Sequence, residues 1–298
     1  MTTMKHFPEL SVVADFIAQM NSLQENHIGY CGNKADEILS TLEEDFTDVP
    51  ARDAFVLAME NNKVVGVCGF DADFERRSAE IWGPFVDKGS AFQVSNLLWK
   101  ALNKKIPNVI QTVSLFPDNH NKMALNFATA LGFSSVSEHA ILTCTKRSLK
   151  GYLKKMSDDN VSRLSESHYN SFVKLHDQIF PDTYLSGKEM LEGLDEEATV
   201  FGVVNNGNLL GYVYAEADPN FGEGSIEFFV VDALAQGKGV GSALLAKGLQ
   251  WLFSFPSVNE TTLCVRSDNL KAIHLYKKVG FQVYHELTLF EKNIDGRT

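Results

Sequence analysis

The stretch VVDALAQGKGVGSALL, Val230 to Leu245, decides how this chain is read. Glycines alternate at Gly237, Gly239 and Gly241, immediately before an apolar run suited to a helix. Each glycine costs about 0.5–1 kcal/mol relative to alanine in a regular element, so keeping all three implies that something must approach the backbone closely. A phosphate is the obvious candidate. Successive N–H groups of such a turn converge on an anion, and the positive end of the following helix adds to the attraction. The spacing is neither G-x-x-x-x-G-K-S/T nor G-x-G-x-x-G, which disfavours nucleotide hydrolysis and hydride transfer.

Working outward, SIEFFVV before the turn reads as a strand, and Gly241 to Phe253 reads as a helix with Leu245, Leu249, Leu252 and Phe253 on one face. Further strands are expected at TVFGVV, LLGYVYAEA, TTLCV and FQVYHELTLFEK, and helices at Leu270 to Val279 and through VSRLSESHYNSFVKLHDQIF. Helices, several strands, a glycine turn, then helix, strand, helix and strand make an α/β (α+β layered) domain.

The same order occurs twice. KVVGVCGFDAD (Lys63–Asp73) lies on NLLGYVYAEAD (Asn208–Asp218), and AEIWGPFVD lies on GSIEFFVVD at the same offset. After a short gap, NKMALNFATALGF (Asn121–Phe133) falls on NLKAIHLYKKVGF (Asn269–Phe281). Matching spacing across separated segments points to a duplication. The expected domains are 1–147 and 161–298, with the polar stretch 148–160 as linker.

With 298 residues, 44% hydrophobic and 22% charged, the composition is that of a globular protein long enough for two domains. The net charge of -11 argues against a nucleic acid or an anionic membrane as partner and is compatible with a cationic acceptor. Cys31, Cys68, Cys144 and Cys264 are scattered with no CxxC, so neither a disulfide framework nor a metal site is expected, and a reducing, cytoplasmic setting is the simpler reading. The opening MTTMKHFPELSVVADFIAQM fits an amphipathic helix better than a signal peptide. No uncharged run is long enough to span a bilayer.

Gln236-Gly237-Lys238-Gly239-Val240-Gly241 between strand and helix, with Asn269, Tyr276 and Gly280-Phe281 downstream, resembles the GNAT superfamily of N-acyltransferases and its Q/R-x-x-G-x-G/A signature. The likeness is strong over about residues 160 to 292 and fainter before them. It implies two tandem GNAT-like domains, each a mixed, mostly antiparallel sheet flanked by helices. It further implies acetyl-CoA as co-substrate and a small-molecule or peptide amine as acceptor. By the resemblance, Gln236, Gly237, Lys238, Gly239, Val240, Gly241 and Ser242 surround the diphosphate, with Asn269 nearby. Phe229, Val230 and Val231 would offer backbone groups to the pantetheine arm, because the strand before the turn splays from its neighbour in this family.

Tyr276 stands where the family places its acid, and an unperturbed phenol near pKa 10 lies within about two units of a thiol near 8.5. The same tyrosine also lies on an apolar helix stripe, where core packing is the ordinary role. Glu227, a carboxylate within an apolar strand, is the candidate base; a solvent-facing Glu explains it equally well. Phe180, Asp182 and Tyr184, in the break between two helices, are candidates to touch the acceptor, or to pin the loop to the core. His168, His176, His274 and His285 read as structural, and Cys264 as a buried, inert thiol.

In the first half the glycine positions hold Val94 and Asn96 and the acid position holds Ala128, so that domain is expected to be catalytically silent. Two functions stand: direct attack of an amine on the thioester in a ternary complex, or a non-enzymatic CoA-binding sensor or interaction module.

Overall fold

The computed structural model describes residues 2–6, 9–87, 91–153, 160–181 and 183–294. They belong to two compact units, one of residues 1–139 and 285–298, the other of residues 140–284. In chain order the first half gives β1 (Thr3–His6), α1 (Leu10–Asn21), α2 (Ala35–Glu44), α3 (Ala51–Ala54), β2 (Val56–Glu60), β3 (Lys63–Asp73), β4 (Ser78–Val86), α4 (Ala91–Leu102), β5 (Thr112–Leu115), α5 (Lys122–Ala130) and β6 (Ser134–Thr145). The second half gives α6 (Lys146–Leu153), β7 (Val161–Arg163), α7 (Tyr169–Ile179), α8 (Gly187–Glu192), β8 (Ala198–Asn205), β9 (Asn208–Asp218), β10 (Glu223–Val231), α9 (Val240–Leu252), β11 (Glu260–Arg266), α10 (Leu270–Val279) and β12 (Gln282–Asn293).

The duplication is visible in local chemistry. β2 and β3 turn through Asn61 and Asn62 at φ of 47° and 61°, and β8 and β9 through Asn206 and Gly207 at 50° and 78°. Two successive residues of positive φ match the twist of an antiparallel hairpin, and Asn and Gly accept that conformation at least cost. Likewise Asn121 caps α5 by accepting from the Ala124 N–H, and Asn269 caps α10 by accepting from the Ala272 N–H. In both units the third and fourth strands pair antiparallel, β3 with β4 and β9 with β10, and the fourth pairs parallel with the fifth, β4 with β5 and β10 with β11. Each is a mixed, mostly antiparallel sheet flanked by helices, the fold class expected.

The compact units do not follow the division into 1–147 and 161–298. The sheet order is β1-β2-β3-β4-β5-β12 in the first unit and β7-β8-β9-β10-β11-β6 in the second, so each sixth strand comes from the other half of the sequence. β12 pairs with β5 from Phe290 opposite Leu115 to Asn293 opposite Thr112. Sequence order cannot reveal such an exchange, since either strand has the same alternating pattern. The stretch 148–160, expected as linker, falls within the second unit, and its start belongs to helix α6; residues 154–159 lie outside the described residues. Two further expectations are corrected. Residues Thr3–His6 form an edge strand on β2, with the helix starting only at Leu10. In VSRLSESHYN the helix begins at Tyr169, because Val161–Arg163 pairs with β8 and a 3-10 turn at Glu166–His168 intervenes.

In the first unit a buried carboxylate organises three segments. Asp118 accepts from His285 Nδ1 at 2.7 Å through one oxygen, and from His120 N at 2.7 Å and His120 Nδ1 at 2.8 Å through the other. Burial alone would raise its pKa, but these hydrogen bonds outweigh it and hold Asp118 below the ordinary carboxylate value. The His27 ring stacks on His285 at 3.8 Å, and burial, aided by the neighbouring His285, lowers His27 to about 4. A histidine depressed from about 6.5 stabilises the fold above its unfolded pKa and loses that contribution as pH falls toward 4. We expect the wild type to lose about 2–3 kcal/mol more than His27→Phe between about pH 7 and pH 4.5, measured by urea denaturation. Equal losses would mean that His27 is not held neutral.

Candidate active site

The second unit places the glycine turn at the start of α9. Gly237 and Gly239 have φ of 75° and 86°, the left-handed region, and a Cβ at either would meet nothing within 4 Å. Their reason is therefore conformational. Gly241 differs: inside the helix, its Cβ would lie 3.0 Å from Leu275 and 3.2 Å from Phe229, so it is glycine for packing. From Gln236 to Ser242, no backbone N–H donates to an acceptor among the described residues; the first helical bond runs from Ala243 N to Gly239 O at 3.0 Å. Gln236 to Gly239 are exposed, so backbone donors at a helix N-terminus are open to solvent. The Lys238 side chain stands beside it, while Ser242 is largely buried in the first turn of α9.

Next to the turn, β10 and β11 separate. They are parallel partners at Ser225 and Thr262, and among the described residues that is where their pairing ends. Beyond it β10 still pairs with β9, Phe229 with Val213, Val230 with Tyr212 and Val231 with Gly211, leaving its other edge toward the gap. Phe229 and Val231 are partly buried and Val230 is core. The Gln236 amide donates to Val231 O at 3.3 Å.

Glu227 occupies a β-bulge, since Ile226 is opposite Ala215 and Phe228 opposite Tyr214 with no register partner left for the residue between. Bulges re-aim a side chain, and here the carboxylate receives a hydrogen bond from the Tyr184 hydroxyl. Tyr184, 54% exposed, stacks on Phe228 at 5.2 Å, and Phe180 meets the same ring edge-on at 5.2 Å. Two of the three loop candidates thus join Glu227; Asp182 lies outside the described residues. Burial, then the charge and hydrogen bond of Glu227, raise the Tyr184 pKa far above a free phenol, so it remains a donor.

Sequence reasoning missed Tyr214 and Glu216. Two apart on β9, they share a face, and the Tyr214 hydroxyl donates to Glu216 at 2.5 Å. Burial raises the Glu216 pKa, the Tyr214 bond opposes, and the charges of Glu227 and Asp195 raise it further. The Y-x-E pattern at an alternating strand was the available signal.

Tyr276 is buried, packed edge-on against Phe229 and Phe281 at 5.9 Å. Burial, with Cys264 nearby, pushes its pKa up. The hydroxyl therefore keeps its proton, the state a donor requires, while the gap to a thiol is wider than the free phenol suggested. Cys264 is exposed, against the buried position its strand suggested, because it alternates with the buried Leu263 and Val265 and lies on the opposite face of β11. Desolvation by the surrounding protein and the charge of Glu227 push the thiol up to about 12, so it stays protonated. Asn269 caps α10 by accepting from the Ala272 N–H, as Asn121 caps α5.

Residues 163–281 match the model of the acetyltransferase (GNAT) family. The chain is similar to mycothiol acetyltransferase of Mycobacterium avium (strain 104), 33% identical over 87 residues, 26% of this chain and 27% of that protein. It is also similar to spermine/spermidine N(1)-acetyltransferase of Bacillus subtilis (strain 168), 29% identical over 92 residues, 29% of this chain and 60% of that protein. The chain thus matches only part of the length of these curated relatives. In fold it resembles a GCN5-related N-acetyltransferase from Sphaerobacter thermophilus, with TM-score 0.74 at 16% identity, covering 98% of this chain and 96% of that one. A tandem GNAT protein from the clavulanic acid biosynthesis pathway gives TM-score 0.68 at 14% identity, covering 100% and 99%.

A Cβ at Gly239 has room but the wrong φ. Gly239→Ala should cost roughly 1 kcal/mol of stability and weaken coenzyme A binding, read by urea midpoint and calorimetry. Unchanged values for both would show that the turn does not need its left-handed residue.

Proposed function

We propose that the chain is an N-acetyltransferase that moves the acetyl group of acetyl-CoA to an amine. The observation that carries this reading is the run of backbone N–H groups from Gln236 to Ser242 that meet no acceptor among the described residues, beside the point where β10 and β11 part. These donors, with Gln236, Lys238 and the positive end of α9, would hold the diphosphate. The free edge of Phe229, Val230 and Val231 would pair with the pantetheine arm. When bound, acetyl-CoA supplies an activated acyl group as a thioester.

The chain's own residues handle the protons. Glu227 takes one from the attacking nitrogen, directly or through a water, and Tyr184 orients that carboxylate from the acceptor side. Tyr276 gives a proton to the departing sulfur. Phe180 walls the acceptor loop against Phe228.

The acceptor we infer is a cationic amine. Glu216, Glu227 and Asp195 share one neighbourhood, and among the described residues none is paired with a Lys or Arg. The similarity to a spermine/spermidine acetyltransferase favours the same class. The first unit, with Val94, Asn96 and Ala128 at the equivalent positions, is read as a catalytically silent support. A cytoplasmic setting belongs to the proposal, and no cysteine is in a disulfide.

Coenzyme A is expected to bind in calorimetry, and thiol release from acetyl-CoA to rise with spermidine and related polyamines above neutral amines. Tyr276→Phe should lower kcat about a hundredfold with little change in coenzyme A affinity. Undiminished turnover in that variant removes Tyr276 from the mechanism, and binding of coenzyme A without transfer to any amine leaves a sensor rather than an enzyme.

A further inference from the structure

One buried titratable group in the second unit has no part in the reaction just described. His176, on α7, is fully buried. Its Nε2 lies 2.9 Å from the Leu185 carbonyl and its Nδ1 2.6 Å from the Tyr212 hydroxyl on β9. A carbonyl can only accept, so Nε2 carries the hydrogen. In the neutral ring Nδ1 then accepts, and Tyr212 donates. Burial lowers the His176 pKa, the Leu185 bond opposing, which agrees with that neutral tautomer.

The Nε2 end of the ring and the ring itself each lead to the base. Leu185 directly follows Tyr184, whose hydroxyl donates to Glu227. The ring also meets Phe228 edge-on at 4.7 Å, and Phe228 is the ring on which Tyr184 stacks. The rest of the loop is fastened independently: Ser186 caps α8 with Glu189 in a capping box, and Gly187 N donates to Asp177 at 2.8 Å. These bonds hold the start of α8; the Leu185 carbonyl is held by His176.

We propose that His176 is a positioning residue of the active site: by fixing the Leu185 carbonyl and backing Phe228, it sets the Tyr184 hydroxyl on Glu227 and so orients the carboxylate that receives the acceptor's proton. This rests on the reading of Glu227 as base. Histidine suits the task because its two nitrogens can donate at one end and accept at the other across a rigid ring. Asparagine can replace the nearer nitrogen only, and glutamine reaches the position of the farther one.

The test uses the full chain with 3-fluorotyrosine at its 8 tyrosines, where the fluorine resonance absent from Tyr184→Phe identifies Tyr184. In His176→Asn that resonance should move toward free 3-fluorotyrosine; in His176→Gln it should stay near its wild-type position. With spermidine as the probe amine, kcat should fall about tenfold to a hundredfold in His176→Asn. The KM for acetyl-CoA should hold, and His176→Gln should restore most of the rate. An unmoved Tyr184 resonance in His176→Asn overturns the proposal. So does a moved resonance with wild-type kcat, or a failure of His176→Gln to restore either signal. Should His176→Asn not fold, Tyr212→Phe, which deprives Nδ1 of its donor, replaces it: a shifted Tyr184 resonance supports the proposal and an unmoved one overturns it. If wild type does not turn over spermidine, the acceptor reading fails, and the fluorine result still decides the role of His176.

Discussion

Peptide groups that leave a sheet must find new partners, and in the second unit the N–H groups from Gln236 to Ser242 find no acceptor among the described residues. β10 pairs with β9 on either side of the Glu227 bulge but has no β11 partner after Ser225 among the described residues, and a few residues later the backbone enters an exposed turn. Exposed N–H groups of this kind are met by water, which an anion at the start of a helix can displace. The surrounding order follows from this. Gly237 and Gly239 permit the outward turn, Gly241 lets α9 settle on Phe229 and Leu275, and the apolar face of α9 anchors the assembly in the core.

The duplicated half separates what folding needs from what chemistry needs. Both units keep the positive-φ hairpin turn, the asparagine helix cap and the parallel fourth and fifth strands. The first unit replaces Gly239 by Val94, Gly241 by Asn96 and Tyr276 by Ala128, while Glu227 corresponds to Trp82, packed with Phe46 and Phe55. Aromatic packing has taken the room in which the other unit keeps a carboxylate.

Much of this was legible in the residues. The glycine turn and the helix from Leu270 to Val279 follow from motif spacing and periodicity, which are local properties, while Glu227 stood out as a carboxylate in an apolar strand and Tyr276 through the family resemblance. What escaped were consequences of pairing. Which sheet receives β12 depends on partners far away in sequence, and the bulge that re-aims Glu227 exists only relative to β9. Tyr214, Glu216 and His176 acquire meaning once three elements are side by side. Cys264 was misplaced because the sequence does not say which face of β11 is covered, and it lies on the face opposite the buried Leu263 and Val265.

The crossed final strands carry an implication for how such a protein can be taken apart. A single cut between the halves would leave each sheet one rung short at an open edge and each fragment trailing a strand that fits elsewhere. Exposed edges of that kind invite pairing with other molecules. For the second unit to keep its six-stranded sheet when cut free, the excised piece would have to carry β6 from the first half of the sequence with it.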